Sequence, residues 1–270
     1  MADILDEIVA YKRQEIEQFY QILPIANLAT LTEKMLHIPV PSMRKALMDS
    51  PTGIIAEFKR RSPSRGWIHR DAQVNKVAPA YEQGGASAIS ILTDREYFGG
   101  YDEYIQQARF VGVTLPILYK NFIVDEYQIF QARYCGASAV LLIASVLTID
   151  ECRRFTALAH NLGMEVLLEM HAESELAYAE IEPDMCGINN RHLGTFTTDV
   201  QTSFDLAGKL PEGTCRVSES GISSPQVITR LRKQGYRGFL IGETFMREPL
   251  PGEALAHMIS QLTTTEGEQQ

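Results

Sequence analysis

A chain of 270 residues that is 45% hydrophobic can bury a sizeable core, as one large α/β domain or two small ones. A net charge of −9 excludes a nucleic-acid-coating surface, which would be basic, but leaves room for a local cationic pocket. The start is too charged for a signal peptide, and the longest apolar run, near Ala139–Ala144, is far short of the roughly 20 residues a membrane helix needs. The expectation is a cytoplasmic protein with no membrane and no nucleic-acid partner. Cys135, Cys152, Cys186 and Cys215 form no CxxC pair and match no zinc spacing, so they read as reduced, buried thiols.

Ile4, Leu5, Ile8, Val9, Ile16, Phe19 and Tyr20 recur at helical spacing, so the chain opens with an amphipathic helix. A stretch with less pattern follows, with a short helix near Ser42–Asp49 and a turn at Pro51-Thr52-Gly53. Then a rhythm sets in. Strand-length apolar segments lie at Ile54–Lys59, Ala88–Leu92, Leu115–Lys120, Ala139–Ile143, Glu165–Glu169, Met185–Asn189, Cys215–Ser220 and Gly238–Gly242. Helical patterns such as Val124–Tyr134, Ile149–Leu162 and Pro225–Gln234 separate them, and Gly84, Gly136, Gly163 and Gly235 mark helix ends.

Short apolar strands alternating with helices imply parallel pairing through right-handed crossovers. Eight such units fit a single α/β domain: a closed (β/α)8 barrel over 54–262 with an N-terminal helical extension over 1–50. Residues 263–270 read as a disordered polar tail. A doubly wound sheet is the runner-up, but the first turn reads RRSPSRG where that fold more often carries GxGxxG. The exposed helical faces suit a monomer or a weak homodimer alike.

Barrel chemistry sits at the carboxyl ends of the strands. Strand alternation points Glu57 and Lys59 to one side. Lys120, Glu169, Asn189-Asn190-Arg191, Glu219-Ser220-Gly221 and Gly242-Glu243-Thr244 close later strands. Each alone reads more readily as a solvated side chain, a cap or a turn. Their recurrence at one end of successive strands reads as a site, because random surface charge falls at both ends. The Ser220-Gly221 and Gly242-Glu243 turns suggest phosphate, since glycine lets backbone N–H groups approach an anion. Ser62 and Ser64 add hydroxyls on the first loop, and Phe98, Phe122 and Leu141 are candidates for an apolar wall.

The segments EFKRRSPSRG, ILTDREYFGG, PILYKNFIVDEYQI, LLEMH, GINNRHL, SESGI and IGETFMR occur in that order over residues 54–247. Together they closely resemble the indole-3-glycerol-phosphate synthase family. The resemblance covers nearly the whole chain. It implies a barrel carboxy-lyase of tryptophan biosynthesis that acts on a phosphorylated small molecule, 1-(2-carboxyphenylamino)-1-deoxyribulose 5-phosphate. The products are indole-3-glycerol phosphate, CO2 and water, with no metal and no organic cofactor. By the resemblance, Lys120 is the general acid, Lys59 holds the substrate carboxylate and assists later proton transfer, and Glu169 assists dehydration. Glu57, Asn189 and Glu219 orient these groups, Arg191 supports them, and Ser62, Ser220, Gly221 and Gly242 grip phosphate, with Glu243 following.

Three positions depart from the family pattern. Phe98-Gly99-Gly100-Tyr101 lacks the serine of F-x-G-S, Asn121 stands where Asp is usual, and Tyr119 where Arg is common. The only tryptophan, Trp67, lies on the first loop, either packed against a lid or idle. Two alternatives are another phosphosugar barrel, such as phosphoribosylanthranilate isomerase, and a catalytically silent barrel scaffold. An isomerase needs one acid and one base, not two lysines and a glutamate. A silent scaffold predicts loss of Lys59, Lys120 or Glu169, and all three are present.

Overall fold

The computed structural model describes residues 4–192, 194 and 197–267. Eight parallel strands close a barrel: β1 (Ile54–Phe58), β2 (Ala88–Leu92), β3 (Ile117–Lys120), β4 (Ala139–Ile143), β5 (Glu165–Met170), β6 (Met185–Asn189), β7 (Cys215–Glu219) and β8 (Tyr236–Ile241). Each pairs with its sequence neighbours, and β8 returns to β1 with Ala56 opposite Ile241. β1 is buried along its whole length, as a strand covered on both faces must be. Ile54, Ala56 and Phe58 face the helices, while Ile55 faces the barrel interior beside Leu118 and Leu167.

The outer layer contains α4 (Val74–Gln83), α5 (Glu103–Phe110), α6 (Glu126–Cys135), α7 (Ile149–Asn161), α8 (Gln201–Ala207), α9 (Pro225–Lys233), the one-turn α10 (Glu243–Met246) and α11 (Pro251–Gly267). A 3₁₀ helix, Glu173–Ile181, makes the crossover from β5 to β6. No described helix is long and apolar enough to cross a membrane.

The strand positions follow the sequence pattern with small shifts. β3 starts two residues late because the Arg109 guanidinium takes the carbonyls of Val113 and Leu115 at 2.9 and 2.7 Å. β8 starts early because Tyr236 is buried and its hydroxyl donates to the Ser203 carbonyl at 2.7 Å. A short hairpin, Arg61–Ser62 with Gly66–Trp67, gives the first loop unexpected order. All four cysteines are free and buried. The segment expected to be a polar tail is helical to Gly267, and residues 268–270 lie outside the described residues.

The N-terminal extension forms three helices: α1 (Ile4–Ile22), α2 (Ile25–Glu33) and α3 (Met43–Asp49). Sequence pattern alone did not reveal α2, whose place is set by packing: its Thr32 is buried and its hydroxyl reaches the Phe130 carbonyl on α6 at 3.3 Å. α3 plugs the amino end of the barrel. Ser42 caps it, and Glu165 at the start of β5 accepts the Met43 and Arg44 amides at 2.7 and 2.8 Å, an anion at a helix N-terminus. Met43 and Leu47 are fully buried in the interior cluster. Leu47→Ala is expected to lower unfolding free energy by about 2–5 kcal/mol, read by urea titration, with kcat unchanged, because it opens a cavity far from the strand carboxyl ends.

Candidate active site

A cavity of about 270 Å3 opens at the carboxyl ends of the strands. Glu57, Lys59, Phe98, Lys120, Phe122, Leu141, Glu169, Asn189, Arg191, Glu219, Ser220, Gly221, Gly242 and Glu243, all expected from sequence, line it. Ser62 does not. It is buried in the hairpin, with its hydroxyl 3.4 Å from that of Ser64, because the pairing of Ser62 with Gly66 turns it from the cavity.

Barrel register builds the polar floor. Asn189 pairs with Glu219 across β6 and β7, and Ile143 with Glu169 across β4 and β5. Lys120 reaches across the barrel and donates to Glu169 at 2.9 Å and Glu219 at 2.7 Å. Burial alone lowers the Lys120 pKa, but Glu169, Glu219 and Glu57 outweigh it and hold the ammonium above its ordinary range. The geometry therefore decides for the carboxylates.

The two partners of Lys120 differ. Burial raises Glu169, but Lys120 and His171 overcome it and hold Glu169 well below the usual carboxylate range. Burial also raises Glu219, and with the neighbouring Glu169 carboxylate it prevails over Lys120, pushing Glu219 up to about 7. Glu219 Oε1 has no hydrogen-bond partner among the described residues. It lies against Gly187, where a Cβ would come within 2.3 Å of it. Asn189 donates to Glu169 at 3.1 Å and accepts the Arg191 amide at 3.0 Å. Lys59 is paired with Glu57.

His171 is a site neighbour that the sequence reading passed over. Its Nε2 is 3.2 Å from Glu169 and its Nδ1 3.7 Å from Glu175, charge contacts more than aligned hydrogen bonds. Burial lowers its pKa, but the two carboxylates push it up to about 10. The signal was present: residue 171 stands two after Glu169, the same alternation that links 57 and 59.

The corner at β7 and β8 is cationic. Arg65, Arg191 and Arg247 lie 3.2, 3.5 and 3.7 Å from the Glu243 carboxylate. Arg65 and Arg247 line the cavity and were also missed, although both stand inside quoted motifs. Ser220 and Gly221 take left-handed backbone, φ 67° and 75°, which folds this turn tightly at the end of β7. The opposite wall is apolar: Phe98 and Phe122 are tilted with centroids 5.9 Å apart, beside Leu141 and Ile143.

The unusual residues have local explanations. Tyr119 donates to Asp102 at 2.9 Å, and Asn121 donates to the Tyr119 hydroxyl at 3.3 Å and to Thr93 at 2.8 Å. Asn121 also accepts the Phe122 amide at 2.9 Å, so this neutral brace fixes the backbone on both sides of Lys120. Burial pushes Asp102 up to about 6. Trp67 packs against Gly99, where a Cβ would lie 3.1 Å from its ring, under the guanidiniums of Arg60, Arg61 and Arg70. It therefore joins the hairpin to the 94–100 loop.

An ammonium between two carboxylates, an arginine-lined corner and an apolar wall, all at the strand carboxyl ends, define the site of a (β/α)8-barrel protein with acid–base groups, cations and an apolar face in one cavity. The family model for indole-3-glycerol phosphate synthase matches residues 5–258. The chain belongs to the indole-3-glycerol phosphate synthase family, a family of carboxy-lyases. It is 52% identical to the indole-3-glycerol phosphate synthase of Bacteroides thetaiotaomicron, over 97% of this chain and 100% of that one. It is 40% identical to that of Dechloromonas aromatica, over 96% and 100%. Among solved structures, thiamine phosphate pyrophosphorylase from Pyrococcus furiosus superposes with a TM-score of 0.60 at 16% identity, covering 83% of this chain and 98% of that one. The same organism's tryptophan synthase α-subunit superposes with a TM-score of 0.58 at 15% identity over 79% and 98%. At such identities they share the fold alone.

Proposed function

We propose that this site converts 1-(2-carboxyphenylamino)-1-deoxyribulose 5-phosphate to indole-3-glycerol phosphate, CO2 and water, with Lys120 as general acid. The placement of Lys120 between Glu169 and Glu219, facing both the arginine corner and the apolar wall, carries this reading. The phosphate dianion takes the Ser220-Gly221 and Gly242 corner, where guanidiniums match phosphate in charge and geometry. Glu243 keeps Arg65, Arg191 and Arg247 gathered there. The aryl ring lies against Phe98, Phe122 and Leu141, and Lys59 meets the substrate carboxylate.

Holding both ends folds the substrate so that the carboxylate-bearing ring carbon meets the ketone carbon, and such orientation contributes about 7–11 kcal/mol. The new C–C bond forms as the ketone oxygen takes the Lys120 proton. Loss of CO2 returns its bonding pair to the ring and restores aromaticity. The hydroxyl then takes a proton from Lys59 and leaves as water while the adjacent ring CH2 loses a proton, and the double bond so formed completes the indole, which keeps its N–H. Glu169 begins ionised and so enters dehydration as proton acceptor, with Asn189 and His171 fixing its carboxylate. No step requires a metal or organic cofactor. The chain acts in the cytoplasm as one domain, a monomer or weak homodimer, with the extension packed on both barrel ends.

The test is purified protein mixed with the substrate in the presence of chelator, followed by indole fluorescence. Chelator-resistant product is expected. Folded protein that forms no product would overturn the proposal.

A further inference from the structure

We propose that Lys12, on the N-terminal helix α1, is a positioning residue for ring closure. Through Asp94 it fixes the 94–100 loop, and with it the Phe98 wall of the cavity. The inference rests on the reading of Phe98 as a wall of the ring subsite.

Lys12 is 1% exposed and Asp94 0%, a burial that charged groups tolerate only when paired. Lys12 Nζ lies 2.8 Å from Asp94 Oδ2, which has no aligned hydrogen bond, and 2.6 Å from Glu15. The other Asp94 oxygen accepts the amides of Tyr97 and Phe98 at 2.7 and 3.0 Å. The Asp94 carbonyl accepts the Gly100 amide at 2.7 Å. One aspartate therefore holds the loop from inside, and among the described residues the cation seated on its other oxygen comes from α1.

The same helix touches the loop at two further points. Glu7 accepts the Tyr97 hydroxyl at 3.0 Å, and Tyr11 meets the Tyr97 ring edge-on at 5.8 Å. Leu5 and Ile8 join the apolar cluster that contains Phe98, Phe122 and Leu141. Residues 7, 11 and 12 fall on one side of a helix, so α1 presents a continuous face to the loop. The extension thus adds three contacts, through Lys12, Glu7 and Tyr11, to those the loop makes within itself and with the hairpin.

The test compares full-length Lys12→Met, Lys12→Arg and the double variant Lys12→Met/Asp94→Asn. Leu28→Ala, in the buried face of α2, is the stability control. Thermal midpoints are measured first, then kcat and KM at a temperature where circular dichroism shows every variant folded. Lys12→Met is expected to lower kcat/KM roughly tenfold or more, the scale of a small misplacement in a reacting pose. Inhibition by inorganic phosphate, which probes the opposite corner, should not change. The double variant removes the fully buried Asp94 charge together with its partner, and Glu15, 14% exposed, keeps access to water, so its midpoint should largely recover while kcat/KM stays low. Lys12→Arg should regain part of the activity. If Lys12→Met does not fold, the double variant carries the test. Activity restored along with stability in the double variant, or a loss in Lys12→Met no larger than in Leu28→Ala, would overturn the proposal. Phe98→Ala separates the two readings. Unchanged kcat/KM there removes Phe98 from the ring subsite, whereas a loss there without one in Lys12→Met removes only the relay.

Discussion

Lys120→Ala is expected to reduce kcat by at least about 10³-fold while the protein keeps its fold. General acid catalysis alone contributes about 10²–10⁴. Lys120 is also the ammonium that neutralises Glu169 and Glu219, both of which lie within 2.9 Å of it. Its loss removes the ammonium between two buried carboxylates and leaves His171 beside Glu169, so Glu169 should rise toward protonation and become a poorer proton acceptor in dehydration. Single-turnover measurement should therefore show a loss in ring closure first and in dehydration second. Lys120→Arg should keep the charge but not the position, because a planar guanidinium does not seat where a compact ammonium does. Near-normal kcat in Lys120→Ala would remove this residue from the chemistry.

Gly242→Ala is expected to cost about 10²-fold in kcat/KM, the second-largest effect. A glycine at the end of β8 reads from sequence as part of a phosphate grip, which predicts a change in KM alone. The structure adds a stronger reason. A Cβ at 242 would fall 2.3 Å from Glu57 Oε1 and 3.1 Å from the Glu57 Cβ. Glu57 would have to move, and its partner Lys59 with it. The methyl group thus disturbs two ends of the substrate at once, and misplacement of about 1 Å costs about 10²-fold. Gly242→Asp adds a charge beside Glu57 and should be worse. Steady-state kinetics with both variants would show the effect in kcat as well as KM; a change in KM only would confine Gly242 to the phosphate.

Much of the site was legible because the barrel imposes a simple rule. Strand periodicity marks which residues end each strand, and the fold gathers those ends in one place. Glu57, Lys59, Lys120, Glu169, Asn189 and Glu219 follow from that rule. Ser62 broke it because a two-residue hairpin after β1, too short to leave a pattern, turned its hydroxyl away. Arg65, Arg247 and His171 lay within recognisable motifs, but only folding shows that their side chains meet Glu243 and Glu169.

The sequence by itself determined the alternation of strands and helices, the end of the barrel that carries chemistry and the family to which the motifs point. Local periodicity and turn residues encode these. Tertiary structure alone decided the pairings: Lys120 with two glutamates and not one, three arginines on Glu243, and Lys12 on Asp94. Apart from Arg247, which lies one helical turn from Glu243, those partners stand tens of residues apart, and barrel closure and register bring them within 4 Å. The direction of each pKa shift depends on the same distances, since the balance between burial and a neighbouring charge changes sign over a few ångströms.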